Sequence, residues 1–314
     1  MVIDFSNIKI LNILPRFTKG KVHSGGVLVL AENWIDFLGE NKIPIQVVDS
    51  NKDNYSCTII AVCSIIIQTL KKIGGVDAIM IHGLKKHYQW LVPILVLIAT
   101  AFKKKIILRK FGGEFIDYYE KQSGLKKYLL NYIFKNSNLL LWETNTFPKV
   151  KSCWFTNTRT KKSYVRNNLN EYNKRFVFVS SVSKVKGIDY LLEAFKKLDS
   201  SYTLDIYGPL VDYSAEELLG NNFQYKGVIP AEHVNRVLVD YDVLVLPTFW
   251  TCEGYPGIIA EAFNSGLPVI ATKMGGIPEM IQDNSNGFLI ESKSEIALKE
   301  AILKSEGRVC MGQT

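Results

Sequence analysis

The sequence predicts an α/β chain made of two doubly wound parallel-sheet domains facing across a cleft. Three observations carry this. Short apolar runs alternate with helix-period segments of ten or more residues, the pattern of parallel βαβ units. A polar stretch rich in Asn, Thr and Lys, residues 155–174, interrupts the alternation, which then restarts. The 314 residues exceed one typical domain of roughly 100–200 residues. The boundary is placed after residue 165, giving domains 1–165 and 166–314. With 22% charged and 11% aromatic residues, the chain is not of the disordered class.

The elements follow in order. A strand over 8–14 leads through a loop into a helix over 27–38 and a strand over 45–48. An apolar helix over 59–72 precedes a strand over 77–81 that ends at His82-Gly83. A helix over 89–102 leads to a strand over 105–108, a Gly112-Gly113 turn, a helix over 125–135 and a strand over 138–142. The second half gives strands at 175–179, 203–207, 242–246, 268–271 and 287–290. Helices fall at 187–198, 231–241, 257–265, 277–281 and 293–303. The apolar runs 57–67 and 90–102 are too short to cross a membrane, which takes about 20 residues. They are expected to be buried helices.

Charge is uneven. Residues 1–170 hold 25 Lys/Arg against 11 Asp/Glu, a balance of +14; the remainder hold 13 against 19, a balance of −6. Paired lysines such as Lys71-Lys72, Lys85-Lys86 and Lys126-Lys127 suit an anionic membrane surface. No nucleic-acid motif accompanies them, and no nucleic-acid partner is expected. Five irregularly spaced cysteines suggest reduced thiols, and no signal peptide is evident. The expected location is therefore cytoplasmic, peripheral on the inner face of the cell membrane.

In open α/β sheets ligands sit at the carboxyl ends of strands. The strongest feature at such an end is residues 242–281, where a buried strand stops at Pro247. A loop then carries Glu253-Gly254-Tyr255-Pro256-Gly257, and a helix starting near Gly257 carries Glu261. A helix start offers free N–H groups and the positive end of the helix dipole, which together hold phosphate. Glycines let phosphate approach the backbone, and carboxylates accept hydrogen bonds from vicinal sugar hydroxyls. The pattern describes a nucleotide-sugar site.

This stretch resembles the donor-binding signature of the retaining, family-four-type glycosyltransferases of the GT-B fold, whose E-x7-E motif is here Glu253 and Glu261. The resemblance implies transfer of a sugar from a nucleotide diphosphate donor with the anomeric configuration kept. It implies that Glu261 binds the ribose, that Glu253 contacts the hexose, and that Gly254 and Tyr255–Gly257 take up the pyrophosphate. Residues 177–195 are similar to the family's strand–loop–Lys-Gly–helix segment, which makes Lys186 the phosphate-neutralising lysine. Gly25-Gly26 matches a glycine pair that approaches the donor, and His82 a histidine facing the donor sugar. Gly112-Gly113-Glu114 resembles a loop lining the acceptor side. Catalysis is assigned to Glu253, Lys186 and His82. The implied mechanism is front-face displacement without a protein nucleophile. No metal and no cofactor are expected; the donor, by default a UDP-sugar, is a substrate.

The sequence departs from the family twice. Ser181 stands where an arginine is usual, and a hydroxyl cannot supply bidentate charge to phosphate. Lys184 and Arg109 are candidate substitutes. The final helix is followed only by KSEGRVCMGQT, so the crossing helix that closes this fold is expected to be missing. The leading reading is a glycosyltransferase acting on a lipid-linked or membrane-presented glycan acceptor in surface polysaccharide assembly. The alternative is a non-catalytic nucleotide-sugar-binding or assembly partner. An epimerase fits the paired glutamates poorly. An oxidoreductase lacks a G-x-G-x-x-G after either first strand.

Overall fold

The computed structural model describes residues 8–18, 26–112, 115–143, 152–155, 157 and 171–306. The chain forms two compact units, Met1–Asn157 and Thr158–Thr314. The sequence-based boundary after residue 165 falls in the segment outside the described residues.

Unit 1 runs β1 (Ile10–Leu14), α1 (Gly26–Glu40), β2 (Ile45–Asp49), α2 (Thr58–Ile73), β3 (Ala78–Gly83), α3 (His87–Ala101), β4 (Lys105–Lys110), α4 (Phe115–Glu120), α5 (Gly124–Asn136), β5 (Leu139–Trp142) and β6 (Ser152–Trp154). The sheet is parallel, in the order β2-β1-β3-β4-β5-β6. The order reverses between β1 and β3, the switch point where this topology places ligands. The main core joins one face of the strands (Leu11, Ile13, Ile79, Ile81, Leu108) to the inner sides of α2, α3 and α5. A smaller cluster on the other face holds Ile10, Met80 and Leu141 with Trp34 of α1.

Unit 2 runs β7 (Arg175–Val179), α6 (Ile188–Lys196), β8 (Thr203–Tyr207), β9 (Phe223–Gly227), α7 (Val234–Leu238), β10 (Val243–Leu246), α8 (Gly257–Asn264), β11 (Val269–Thr272), α9 (Ile277–Met280), β12 (Gly287–Ile290) and α10 (Glu295–Ser305). Its order is β12-β11-β10-β7-β8-β9, all parallel. Counted within the unit, that is 3-2-1-4-5-6, with its switch point between β7 and β10. Strands β10 and β11 are buried throughout, as strands covered on both faces must be.

Three elements escape the sequence reading: β6, β9 and α4. The helix expected over 231–241 is instead a 3₁₀ turn, Ala231–His233, followed by the five-residue α7. No helix among the described residues is long and apolar enough to cross a membrane.

Candidate functional site

The switch point of unit 2 gathers the signature residues. Beyond β7 the chain passes Ser180 and Ser181 and makes a 3₁₀ turn, Lys184–Lys186, which ends at Gly187. Gly187 takes φ 80°, and a Cβ there would lie 2.1 Å from the Pro247 carbonyl oxygen. Only glycine fits that approach. The contact seats the Lys186 turn against the end of β10, and Phe249 N–H fixes it by donating to the Val185 carbonyl at 2.9 Å.

The loop after β10 brings Glu253 to Lys186. The ammonium donates to Glu253 Oε2 at 2.5 Å, and both side chains are buried. Thr248 Oγ1 donates to the same oxygen at 2.9 Å. The Trp250 ring lies 4.6 Å from Lys186 Nζ, a cation–π contact on the same ammonium. Pairing offsets the cost of taking both charges out of water. The sequence reading set Lys186 on phosphate and Glu253 on hexose; here each is the other's partner.

The Glu253 backbone is held from below. Gly275 has φ 53°, and a Cβ would stand 1.9 Å from the Glu253 carbonyl oxygen. Gly276 N–H donates to the Gly254 carbonyl at 3.1 Å. The buried Tyr255 side chain is anchored by its hydroxyl on Glu279. After Pro256, α8 begins at Gly257 with no side-chain cap, so its first turn has N–H groups to offer an anion. Pro256 has no N–H, so its part in the expected pyrophosphate cradle is shape alone. Glu261, buried and one turn into α8, shares that helix start. Thr248, Trp250 and the Gly275-Gly276 pair are the components sequence reasoning missed. All four residues lie inside the stretch 242–281, where a glycine pair marks a tight turn but a lone Thr and Trp in a loop carry no signal.

The candidate substitutes for an arginine at 181 part company. Ser181 is half-buried, and Lys184 is exposed on the turn two residues before Lys186. Arg109 belongs to unit 1 and is buried there, within 5 Å of the Phe111 and Phe155 ring centroids.

In unit 1, His82 near the end of β3 is only 3% exposed, and neither ring nitrogen has a hydrogen-bond partner among the described residues. It lies among Trp34, Phe111 and Arg109. Burial first, and the Arg109 charge second, push its pKa well below the ordinary histidine value. It is therefore a neutral imidazole. Gly26 opens α1, with open space where a Cβ would go, and Gly25 lies outside the described residues. Of the acceptor-side loop only Gly112 is described; it has φ 82°, and its N–H donates to Glu143 at 3.0 Å.

No metal is expected from the sequence, yet one Asp-x-Asp spacing, a pattern that can serve a divalent ion, occurs at Asp240-Tyr241-Asp242. Its Asp242 is spent on the fold: one carboxylate oxygen accepts from Asn173 N–H and Arg175 N–H at 3.0 and 2.8 Å, at the opening of β7. Among the described residues no group of three or more His, Cys, Asp or Glu could hold a metal ion.

Comparison with known proteins places this geometry. Residues 160–306 match the family model of glycosyl transferases group 1. An uncharacterized 41.2 kDa protein in the cps region of Klebsiella pneumoniae is 34% identical over 127 residues, 39% of this chain and 35% of that protein. The amylovoran biosynthesis glycosyltransferase AmsK of Erwinia amylovora is 28% identical over 143 residues, 41% of this chain and 35% of that enzyme. Each match thus spans about a third of the relative. Among solved structures, Anabaena Alr3699/HepE in complex with UDP and glucose superposes with a TM-score of 0.70 at 15% identity, covering 98% of this chain and 93% of that one. The chain has the GT-B fold, and its residues 160–306 are similar to the glycosyl transferases group 1.

Proposed function

We propose that the chain is a retaining glycosyltransferase. It moves a sugar from a nucleotide diphosphate-sugar, a UDP-sugar, to a lipid-linked or membrane-presented glycan acceptor in surface polysaccharide biosynthesis. The observation that carries this is the buried Lys186–Glu253–Thr248 cluster at the unit 2 switch point, beside the uncapped start of α8 and its Glu261. That combination offers one cation, helix-start amides and two carboxylates, the complement of a diphosphate flanked by sugar hydroxyls. The UDP and glucose bound to HepE and the biosynthetic role in the name of AmsK support donor and pathway class.

In the proposed reaction the acceptor hydroxyl attacks the anomeric carbon on the side the diphosphate leaves. The new carbon–oxygen bond forms as the bond to the diphosphate oxygen breaks, and that oxygen takes the acceptor proton. Lys186 offsets the charge gathering on the diphosphate, so the reaction is proposed to run without a metal. The excess of basic residues in the first half supports work at the cytoplasmic face of the membrane.

Thermal stabilisation across a panel of nucleotide sugars tests the reading, because a ligand bound only by the native state raises its melting temperature. UDP-sugars should stabilise the protein, and Glu261→Ala should abolish the shift. A shift kept in Glu261→Ala would refute this placement of the site. Ser181 favours a second reading, a binding partner without catalysis. Donor hydrolysis gained by Ser181→Arg and absent from the natural chain would support that alternative.

A further inference from the structure

The outer side of the helix layer of unit 1 is apolar. Helices α2, α3 and α5 cover one sheet face, and their inward residues form the core. In a helix with one buried stripe the opposite side should be polar. Here the opposite side of α2 carries Ile59, Ile67 and Leu70, 75%, 52% and 46% exposed. Those positions, eight and three apart, return to one stripe. On α3 the stripe is Trp90, Ile94 and Leu97, at helical spacings of four and three, with Trp90 74% exposed. Leu125 and Tyr128 continue it on α5.

Charge frames this surface with one sign. Helices α2, α3 and α5 contain no Asp or Glu. Exposed lysines stand at both ends of the layer: Lys71, Lys103 and Lys135 where the helices finish, Lys86 and Lys126 where α3 and α5 start. The carboxylates nearest in sequence are Asp53, Asp77 and Glu120, all outside the three helices, and Asp77 accepts from the Lys9 N–H.

We infer that the outer side of α2, α3 and α5 is an insertion surface for an anionic lipid bilayer. Trp90 and the Ile/Leu stripes enter the headgroup–acyl boundary, and the lysines engage the lipid phosphates. Basic charge around an apolar face with interfacial aromatics is the composition of a membrane-surface helix. Anionic lipid complements the lysines, whereas a self-complementary dimer would set lysine rims against lysine rims. The inference deepens the membrane reading given above and rests on it. It adds which surface makes contact, and that contact is by insertion as well as by charge.

The test is co-sedimentation of the full chain with phosphatidylglycerol/phosphatidylcholine vesicles and with phosphatidylcholine alone. Binding to the anionic vesicles is expected. Salt at about 0.5 M should weaken it without abolishing it, because charge is screened and apolar burial is not. Ile67→Gln combined with Leu97→Gln should lower partitioning roughly tenfold or more. Trp90 emission should shift to the blue on binding, a component missing from Trp90→Ala. No binding to anionic vesicles overturns the inference. So does binding that salt removes entirely and the double substitution leaves unchanged. Concentration-dependent self-association of the free protein, lost in the same variant, overturns it in favour of a dimer surface. The nucleotide-sugar melting shift, measured in parallel, reports on the unit 2 site separately and should persist in the double variant.

Discussion

Two buried titratable sites set the chemistry at the residue scale. Removing one partner of the Lys186–Glu253 pair strands a charge out of water. Lys186→Met should therefore lower the stability of unit 2 by about 3–5 kcal/mol, while Lys186→Met with Glu253→Leu should recover most of that loss. Urea unfolding of the wild type, both single variants and the double variant checks this. Stability recovered by the double variant with donor binding still lost would separate the pair's folding role from its functional one. His82 makes a pH prediction. Its folded pKa lies below the unfolded value of about 6.5, so below that pH the unfolded chain binds a proton that the folded chain does not. Stability is complete above pH 6.5 and falls as the pH drops toward the folded pKa, by at most about 1.4 kcal/mol per pH unit. His87 titrates in the same direction, lowered by burial and then by Lys86, and its Nδ1 accepts from Leu84 N–H. Melting curves between pH 7.5 and 5 should show a shallower slope in His82→Asn, with the remainder following His87.

Elements explain what the sequence could and could not show. Strands with an apolar, buried run were legible: 175–179, 203–207 and 287–290 coincide with β7, β8 and the edge strand β12, in which Phe176–Phe178, Leu204, Ile206, Phe288 and Ile290 are buried. The missed β6 and β9 are edge strands. In β9 the outward Gln224 and Lys226 are exposed, so FQYKG presents no apolar run to read. Four strands begin one residue later than expected, two of them after Asn138 and Asp242. Both residues use side-chain oxygens on neighbouring N–H groups, at Ile106 and at Arg175. Turn glycines lie between these cases, visible in sequence but mute about their partners. Gly275→Ala places a Cβ against the Glu253 carbonyl at a positive φ. It should destabilise unit 2 by about 2 kcal/mol or more and weaken the nucleotide-sugar melting shift. Gly26→Ala meets open space and should leave the stability of unit 1 nearly unchanged. Differential scanning calorimetry of the two variants makes the comparison.

At the scale of the whole molecule, each unit has a core of its own, and every residue of the proposed donor cluster lies in unit 2. A fragment of residues 158–314 should therefore fold and keep the UDP-sugar melting shift, and a fragment that fails to fold would tie the donor site to unit 1. The strand order of unit 2 also bears on how the protein is made. Strand β7 leaves the ribosome with only β8 to pair with, β9 then adding to the far side of β8. Its other neighbour, β10, follows three crossovers later, and Lys186 waits through 67 residues of synthesis for Glu253. Pairings that distant in sequence form slowly, because loop closure must precede the contacts that reward it. During elongation the Lys186 turn is thus a nascent element without its carboxylate, and the half-sheet β7–β8–β9 shows an open edge. The position in the sheet that suits a ligand pocket is also the seam between that sheet's two paired strands farthest apart in sequence, which makes residues 180–253 the stretch where co-translational misfolding or chaperone capture would concentrate.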